Sequence, residues 1–405
     1  MLLVALAFTA GWLGSSLLNG VPSSARPYSA DIWQAWNDID QNYPDVSAIN
    51  HQKMAYAMLS AMVDSLGDTG HSRFLTPAEV NQLNQQLNNN SFVGIGVYIQ
   101  QVPIASGNGN DTVIEATLPN SPAQKAGLLP GDVFLTINGQ DATNKTPDQI
   151  QQLIAGKKGT SVTITVQRAG KTQPVPFTIT RGDITAPIVN PYMFSDHIGY
   201  VQITGFDTGT TKELTSDLKT LQGEGMKAVI LDLRDNGGGL VDEAQGVAGD
   251  FLPNGSTVLY EKDRSGTLTP VKVDDKSSPA PGLHLSIPMV VLVNGGTASA
   301  SEIVTGALQD DRHVQAIGER TFGTDTVLGT FQLSDGSELL LATQQYLTPA
   351  KRQYKPGLGL TPDQTVTLPA NAFPESALAL QEANLSETNV LAGKGLTDDT
   401  QLIAA

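Results

Sequence analysis

Apolar residues recur at helical spacing early in the chain, at Ile32, Trp36, Ile39 and Tyr43 and again at Ala55, Leu59, Met62 and Leu66, which predicts two amphipathic helices. Thr76-Pro77-Ala78-Glu79 reads as a helix start, with a capping hydroxyl, proline at the first helical position and a glutamate that returns to the cap. The Gln/Asn-rich run from Asn81 to Asn90 is expected to end that helix and form a solvated hinge. From Phe92 the period shortens. Val93 to Val97, Val113 to Ala116, Asp132 to Ile137 and Ser161 to Gln167 are short β-rich runs punctuated by glycine, interrupted by helix starts at Ser121-Pro122-Ala123 and Thr146-Pro147-Asp148-Gln149. Beyond Gly182, Ala228 to Leu233 and Pro288 to Val293 are unbroken apolar runs, each followed by a glycine turn and a helical pattern, as strands buried on both faces of a parallel layer require. Phe331 to Leu333 and Glu338 to Leu341 flank Ser334-Asp335-Gly336-Ser337 as a hairpin, and the alanine-rich tail from Asn371 reads as helical. The sum is an α+β protein.

At 405 residues the chain is long enough for more than one domain. Its net charge of −16 argues against nucleic acid and anionic membrane surfaces as partners, because both repel an acidic field. Met1 to Leu18 holds no charged residue, so residues 1–20 read as a secretion signal or membrane anchor, although the basic residues that usually precede such a segment are missing. Export places the protein outside the cytoplasm, anchored or secreted. The absence of cysteine excludes disulfides, thiol catalysis and lipoprotein attachment. The histidines, His51, His71, His197, His284 and His313, show no short liganding spacing, so neither a metal nor a cofactor is expected. Nothing in the residues fixes an oligomeric state.

The stretch from Phe92 to Asp183 resembles a PDZ domain: Gly94-Ile95-Gly96-Val97 stands in place of the carboxylate-binding loop, and Ser121 to Leu128 with Gly131-Asp132 in place of its signature helix and strand. Glycines there let successive backbone N–H groups converge on a terminal carboxylate while an extended peptide adds a strand beside them. The resemblance implies protein substrates with free C-termini as partners, and Ile95, Val97, Ile150 and Leu153 as the lining of the side-chain pocket. Arg168 is expected in a surface salt bridge rather than on a peptide.

Strand Met289 to Val293, turn Asn294-Gly295-Gly296 and the following helix present Ser299 at a helix N-terminus, where aligned amides stabilise developing negative charge. The residues alone leave Ser299 as either a nucleophile or a helix cap. Thr297 to Asp310 with Gly318 to Gly323, the glycine turn Leu231 to Gly239, and Gly357 to Asp363 closely resemble the C-terminal processing peptidases, S41 serine proteases that pair a PDZ domain with a split α/β core. The implied organisation is an N-terminal helical cap over 27–90, a PDZ-like β-rich domain over 92–183, an S41-type protease core over 184–370 and a C-terminal tail over 371–405. The resemblance assigns the nucleophile to Ser299 and the oxyanion donors to the N–H groups of Ala300 and of Gly238 or Gly239, each worth ~2.7–4 kcal/mol of transition-state stabilisation. Glu302 and Asp310 are expected as structural pairs.

The departure from the family lies downstream. The lysine expected 25 positions after the serine is Thr324, and the glutamine four further on is Leu328. A threonine cannot take the serine's proton near neutral pH. Three readings follow: His71, in a segment that also resembles the histidine-bearing stretch of tricorn-core relatives, acts as base; Lys351 or Lys355 swings in; or the chain is a pseudoprotease that binds C-termini without cutting.

Overall fold

The computed structural model describes residues 24, 26–68, 72–89, 91–103, 110–118, 120–276, 278–354, 358–369, 380 and 399–405. The expected N-terminal segment and most of the C-terminal tail lie outside these. The chain divides into a compact unit ending at Leu66 and a larger one from Gly67.

The first unit holds α1 (Arg26–Asn42) and α2 (His51–Asp64). Asn50 caps α2 by accepting the N–H of Lys53 at 2.9 Å, and His51 stacks on Trp36 while its Nε2 meets Asp40 at 2.8 Å. Both helices form where the spacing predicts; of their stripes Trp36, Ala55 and Leu59 are half-buried, and Ile32, Ile39, Met62 and Leu66 are exposed.

The larger unit begins with β1 (Arg73–Leu75) and α3 (Pro77–Asn89). The helix start is as read: Glu79 accepts the N–H of Thr76 at 2.8 Å and its own N–H donates to the Thr76 hydroxyl at 3.4 Å. The Gln/Asn-rich run is helical through Asn89, so it ends the helix as expected but forms no hinge before that residue. Leu75 and Val80 pack on Leu340 of the larger unit.

A two-stranded ribbon of β2 (Ser91–Gly94) and β9 (Gly182–Thr185) closes the next module at both ends. Between them lie β3 (Val97–Pro103), β4 (Asn110–Thr117), α4 (Pro122–Ala126), β5 (Val133–Ile137), β6 (Gln140–Asp141), α5 (Pro147–Ile154), β7 (Ser161–Gln167) and β8 (Val175–Thr180). The sheet order is β3-β4-β5-β7-β8, with β6 on β5, which leaves β3 as an edge strand beside α5. Thr146 and Gln149 close a capping box at α5, and Ser121 caps α4.

The core is a six-stranded sheet, order β10-β11-β12-β15-β16-β19, made of β10 (Val189–Met193), β11 (Ile198–Ile203), β12 (Ala228–Asp232), β15 (Met289–Val293), β16 (Gln315–Gly318) and β19 (Gln364–Thr365). The two apolar runs are neighbours, paired in parallel with Val229 opposite Met289; only β10 runs antiparallel. Helices α6 (Thr210–Gly223), α7 (Val241–Phe251) and α8 (Ala300–Arg312) pack on it through Leu214, Leu218, Val247, Val304 and Leu308. A second sheet joins β1, β13 (Thr257–Lys262), β14 (Leu268–Lys272), β17 (Thr326–Gln332) and β18 (Glu338–Leu347); β17 and β18 are the expected hairpin, lengthened. Of the tail, α9 (Thr400–Ala404) is described, and Asp399 before it holds Arg234 at 2.8 Å. Arg234 is fully buried between Asp399 and Asp232, and the two carboxylates hold its guanidinium charged, with a pKa raised further, against the desolvation that burial imposes.

Candidate active site

Ser299 stands between β15 and α8 with φ +54° and ψ −116°, a conformation that a side-chain-bearing residue occupies at a cost of about 1–3 kcal/mol. An ordinary helix cap takes extended dihedrals. Ser299 and Glu302 form a capping box at α8, yet a serine held in this strained turn between strand and helix is also the arrangement that lifts a hydroxyl clear of the backbone.

The turn is held from both sides. Thr297 donates its hydroxyl to the carbonyl of Leu233 at 2.8 Å, and Asn294 accepts the N–H groups of Asp235 at 2.9 Å and Gly296 at 3.0 Å. Asn236, fully buried, ties the glycine turn to the serine turn. Its carbonyl accepts from the N–H of Ala298 at 3.0 Å and the hydroxyl of Ser301 at 2.9 Å, while its amide donates to the carbonyl of Ile203 at 2.7 Å. A Cβ on Gly238 would lie 2.7 Å from Cβ of Ser299 and 2.9 Å from the nitrogen of Ala300, so only glycine lets the two turns meet.

The two candidate oxyanion glycines differ. The N–H of Gly238 already donates to Oδ1 of Asn236 at 2.9 Å. The N–H groups of Gly239 and of Ala300, at the head of α8, have no acceptor among the described residues.

Glu302 reaches back from α8 and receives four donors: the N–H of Ser299 at 3.0 Å, the hydroxyl of Thr321 at 2.5 Å, and the N–H groups of Gly323 at 2.9 Å and Thr324 at 2.8 Å. Burial raises its pKa, and the four donors oppose the shift. With its lone pairs occupied this carboxylate is a clamp between the serine turn and the 321–324 loop, not a proton acceptor. The N–H of Thr324 shares Oε2 of Glu302 with that of Ser299, which brings position 324 beside the serine turn. Asp310 pairs with Arg352 at 2.5 Å and accepts the N–H of Ala350 at 2.8 Å.

No histidine or lysine nitrogen is hydrogen-bonded to the Ser299 hydroxyl among the described residues. Lys351 sets its amine 5.1 Å from the ring centre of Tyr260. His313 caps the far end of α8, roughly 20 Å of helix away, and His284 meets Leu252 and Asp275. His71 and Lys355 lie outside the described residues. Ser72, next to His71, is anchored: its N–H donates to Asp68 at 3.0 Å and its hydroxyl accepts the N–H of Ala342 on β18 at 2.9 Å.

In the PDZ-like module Ile95 and Ile150 are buried in its core, with Val97 and Leu153 at the rim of that cluster. Gly96 has φ +78°, and a Cβ there would meet that of Ser121 at 2.4 Å. Arg168 forks onto Asp132 with two contacts of 2.7 Å, a partly buried pair within the module. Of the functional residues, sequence reasoning missed Asn236, although its place before three glycines was visible. Among the described residues no cluster of histidine and carboxylate side chains could hold a metal ion, and no helix is long and apolar enough to cross a membrane.

Known proteins share this organisation. Peptidase family S41 matches residues 197–366, and a PDZ domain matches residues 113–168. A probable CtpA-like serine protease of Staphylococcus saprophyticus is 33% identical over 353 residues, covering 87% of this chain and 68% of the relative. The carboxyl-terminal-processing protease of Synechocystis sp. is 32% identical over 395 residues, covering 92% and 89%. The solved photosystem II D1 C-terminal processing protease aligns with 26% identity and a TM-score of 0.52 over 87% of this chain and 95% of its own; an S41 protease from Bacteroides fragilis shares the fold at 18% identity, with a TM-score of 0.59 over 88% and 96%. At such identity, sustained over most of both chains and joining a PDZ domain to the protease core, the chain belongs to peptidase family S41, among its carboxyl-terminal processing proteases.

Proposed function

We propose that this protein is a serine-type endopeptidase that cleaves exported or envelope proteins near their C-termini, with the PDZ-like module holding the free carboxylate of the substrate. The single observation that carries the reading is the backbone of Ser299: a residue that only capped α8 would not need a strained conformation. In this reading Ser299 attacks the scissile carbonyl, the N–H groups of Ala300 and Gly239 receive the oxyanion, and the open edge of β3 beside α5 takes the terminal residues as an added strand. His71 serves as base; the anchoring of Asp68 and Ser72 on either side of it supports the assignment. The apolar N-terminal segment would take the protein out of the cytoplasm.

Thr324 in the lysine's place favours a second reading, a pseudoprotease that binds C-termini without turnover. Cleavage of peptides with free C-termini, abolished by Ser299→Ala and by His71→Ala, supports the first. Tight binding, lost on amidation and never followed by cleavage, supports the second. Cleavage that survives His71→Ala removes the histidine from the mechanism.

A further inference from the structure

Strand β18 is covered unevenly. On one flank Glu338 to Leu340 pair with β1 and Gln345 to Leu347 pair with β13, and among the described residues no strand covers positions 341–344 between them. On the other flank Leu328 faces Ala342 and Val327 faces Gln344, so Thr343 is an extra, bulged residue at this point. A groove of about 520 Å³ opens there, with residues 342–345 and Thr326 along it and the turn carrying Lys262 and Arg264 on its wall.

The charge of that wall is unusual for a chain of net −16. Neither the amine of Lys262 nor the guanidinium of Arg264 has a carboxylate partner among the described residues. The acid between them, Asp263, is folded into its own turn, where it accepts the N–H groups of Ser265 at 2.8 Å and Thr267 at 2.9 Å and the hydroxyl of Ser265 at 2.6 Å. Asp263 keeps its charge, so the three side chains leave the wall with one net positive charge beside the groove.

The groove adjoins the nucleophile. Thr326 lies two residues beyond Thr324, at most ~7 Å along the chain, and the N–H of Thr324 shares a carboxylate oxygen with that of Ser299. Gln345, at the end of the gap, donates to Asp325 at 3.4 Å and ties the floor to the same loop.

We propose that this groove seats the stretch of substrate chain beside the scissile bond, and that Lys262 and Arg264 select an acidic side chain in it. The inference rests on the chain's handling of polypeptide substrates, but binding alone tests it, so it can fail or stand whether or not cleavage is seen.

The test uses the full-length Ser299→Ala protein and two labelled peptides with the same free C-terminus. One carries Glu residues six to ten positions before its end, and the other Gln. Fluorescence anisotropy at low salt should show the Glu peptide binding about five- to tenfold more tightly, and Lys262→Gln with Arg264→Gln should remove that advantage while thermal unfolding stays unchanged. Amidating both peptides should weaken them alike and leave the ratio intact. Equal affinities, an advantage that survives the double substitution, or no measurable binding of either peptide would overturn the proposal. A ratio that disappears on amidation would also overturn it, by assigning the preference to the PDZ-like module.

Discussion

Placing a lysine at position 324 tests whether the serine turn proposed as the nucleophile's seat lacks only a neighbouring base. The N–H groups of Ser299 and Thr324 lie 3.0 and 2.8 Å from one oxygen of Glu302, so their nitrogens are no more than 5.8 Å apart, the sum of the two. The four-carbon stem of a lysine at 324 spans that gap. A positioned base contributes ~10²–10⁴-fold, equivalent to roughly 2.7–5.4 kcal/mol at 1.36 kcal/mol per tenfold. In a His71→Ala background, where the proposed base is absent, Thr324→Lys should raise kcat/KM for a fluorogenic peptide with a free C-terminus by that factor. Glu302 favours the charged amine and burial of position 324 favours the neutral one, so the gain should grow with rising pH as the lysine loses its proton. Adding Leu328→Gln, the other residue that the family resemblance leads one to expect, provides a second arm. If the folded Thr324→Lys protein gains nothing at any pH, with or without Leu328→Gln, position 324 does not serve the nucleophile and the reasoning is refuted. A gain that persists after Ser299→Ala is equally fatal, because it assigns the cleavage to another group.

Further outcomes follow from single residues. Asn236→Ala should lower kcat about 100-fold with KM within twofold, and lower stability by about 1–3 kcal/mol, because Gly238 and the carbonyl of Ile203 lose a buried partner; steady-state kinetics and urea unfolding check both. Gly96→Ala, strained at φ +78° and meeting Ser121, should weaken binding of a free C-terminus more than tenfold by anisotropy yet leave modification of Ser299 unchanged. Burial pushes the carboxyl of Asp250 up to about 7, against the N–H of Leu283 and the hydroxyl of Thr215. Its folded pKa exceeds the unfolded value of 3.8, so its contribution to stability is complete below about pH 4 and is lost as the pH rises through 7, by at most about 4 kcal/mol. Urea midpoints across this window should fall for the natural protein and stay flatter for Asp250→Asn.

The parts of the fold written in local periodicity were legible in the sequence. The apolar runs around Ile230 and Val291 are the neighbouring parallel strands of the core, and Thr146 with Gln149 closes the capping box that those two residues announce. Ser299 could be singled out because strand, glycine turn and helix are contiguous around it. What escaped was decided by distant segments. Asn236 becomes a tie only when the carbonyl of Ile203 and the serine turn reach it, and the two candidate oxyanion glycines separate only once Asn236 occupies the N–H of Gly238. Glu302 was legible as structural, but not as the holder of the 321–324 loop, whose N–H groups arrive from 21 and 22 residues away. The stripes of α1 and α2 predict helices correctly and say nothing of what covers them: Ile32 and Met62 stay exposed.

In the proposed function Ser299 is held ready for nucleophilic attack. The most direct measurement is mass spectrometry of the full-length protein after incubation with a serine-directed phosphonate. One adduct is expected, on the tryptic peptide containing Ser299 and absent from Ser299→Ala. An unmodified Ser299 in folded protein, or an adduct on another serine that persists in Ser299→Ala, would contradict it.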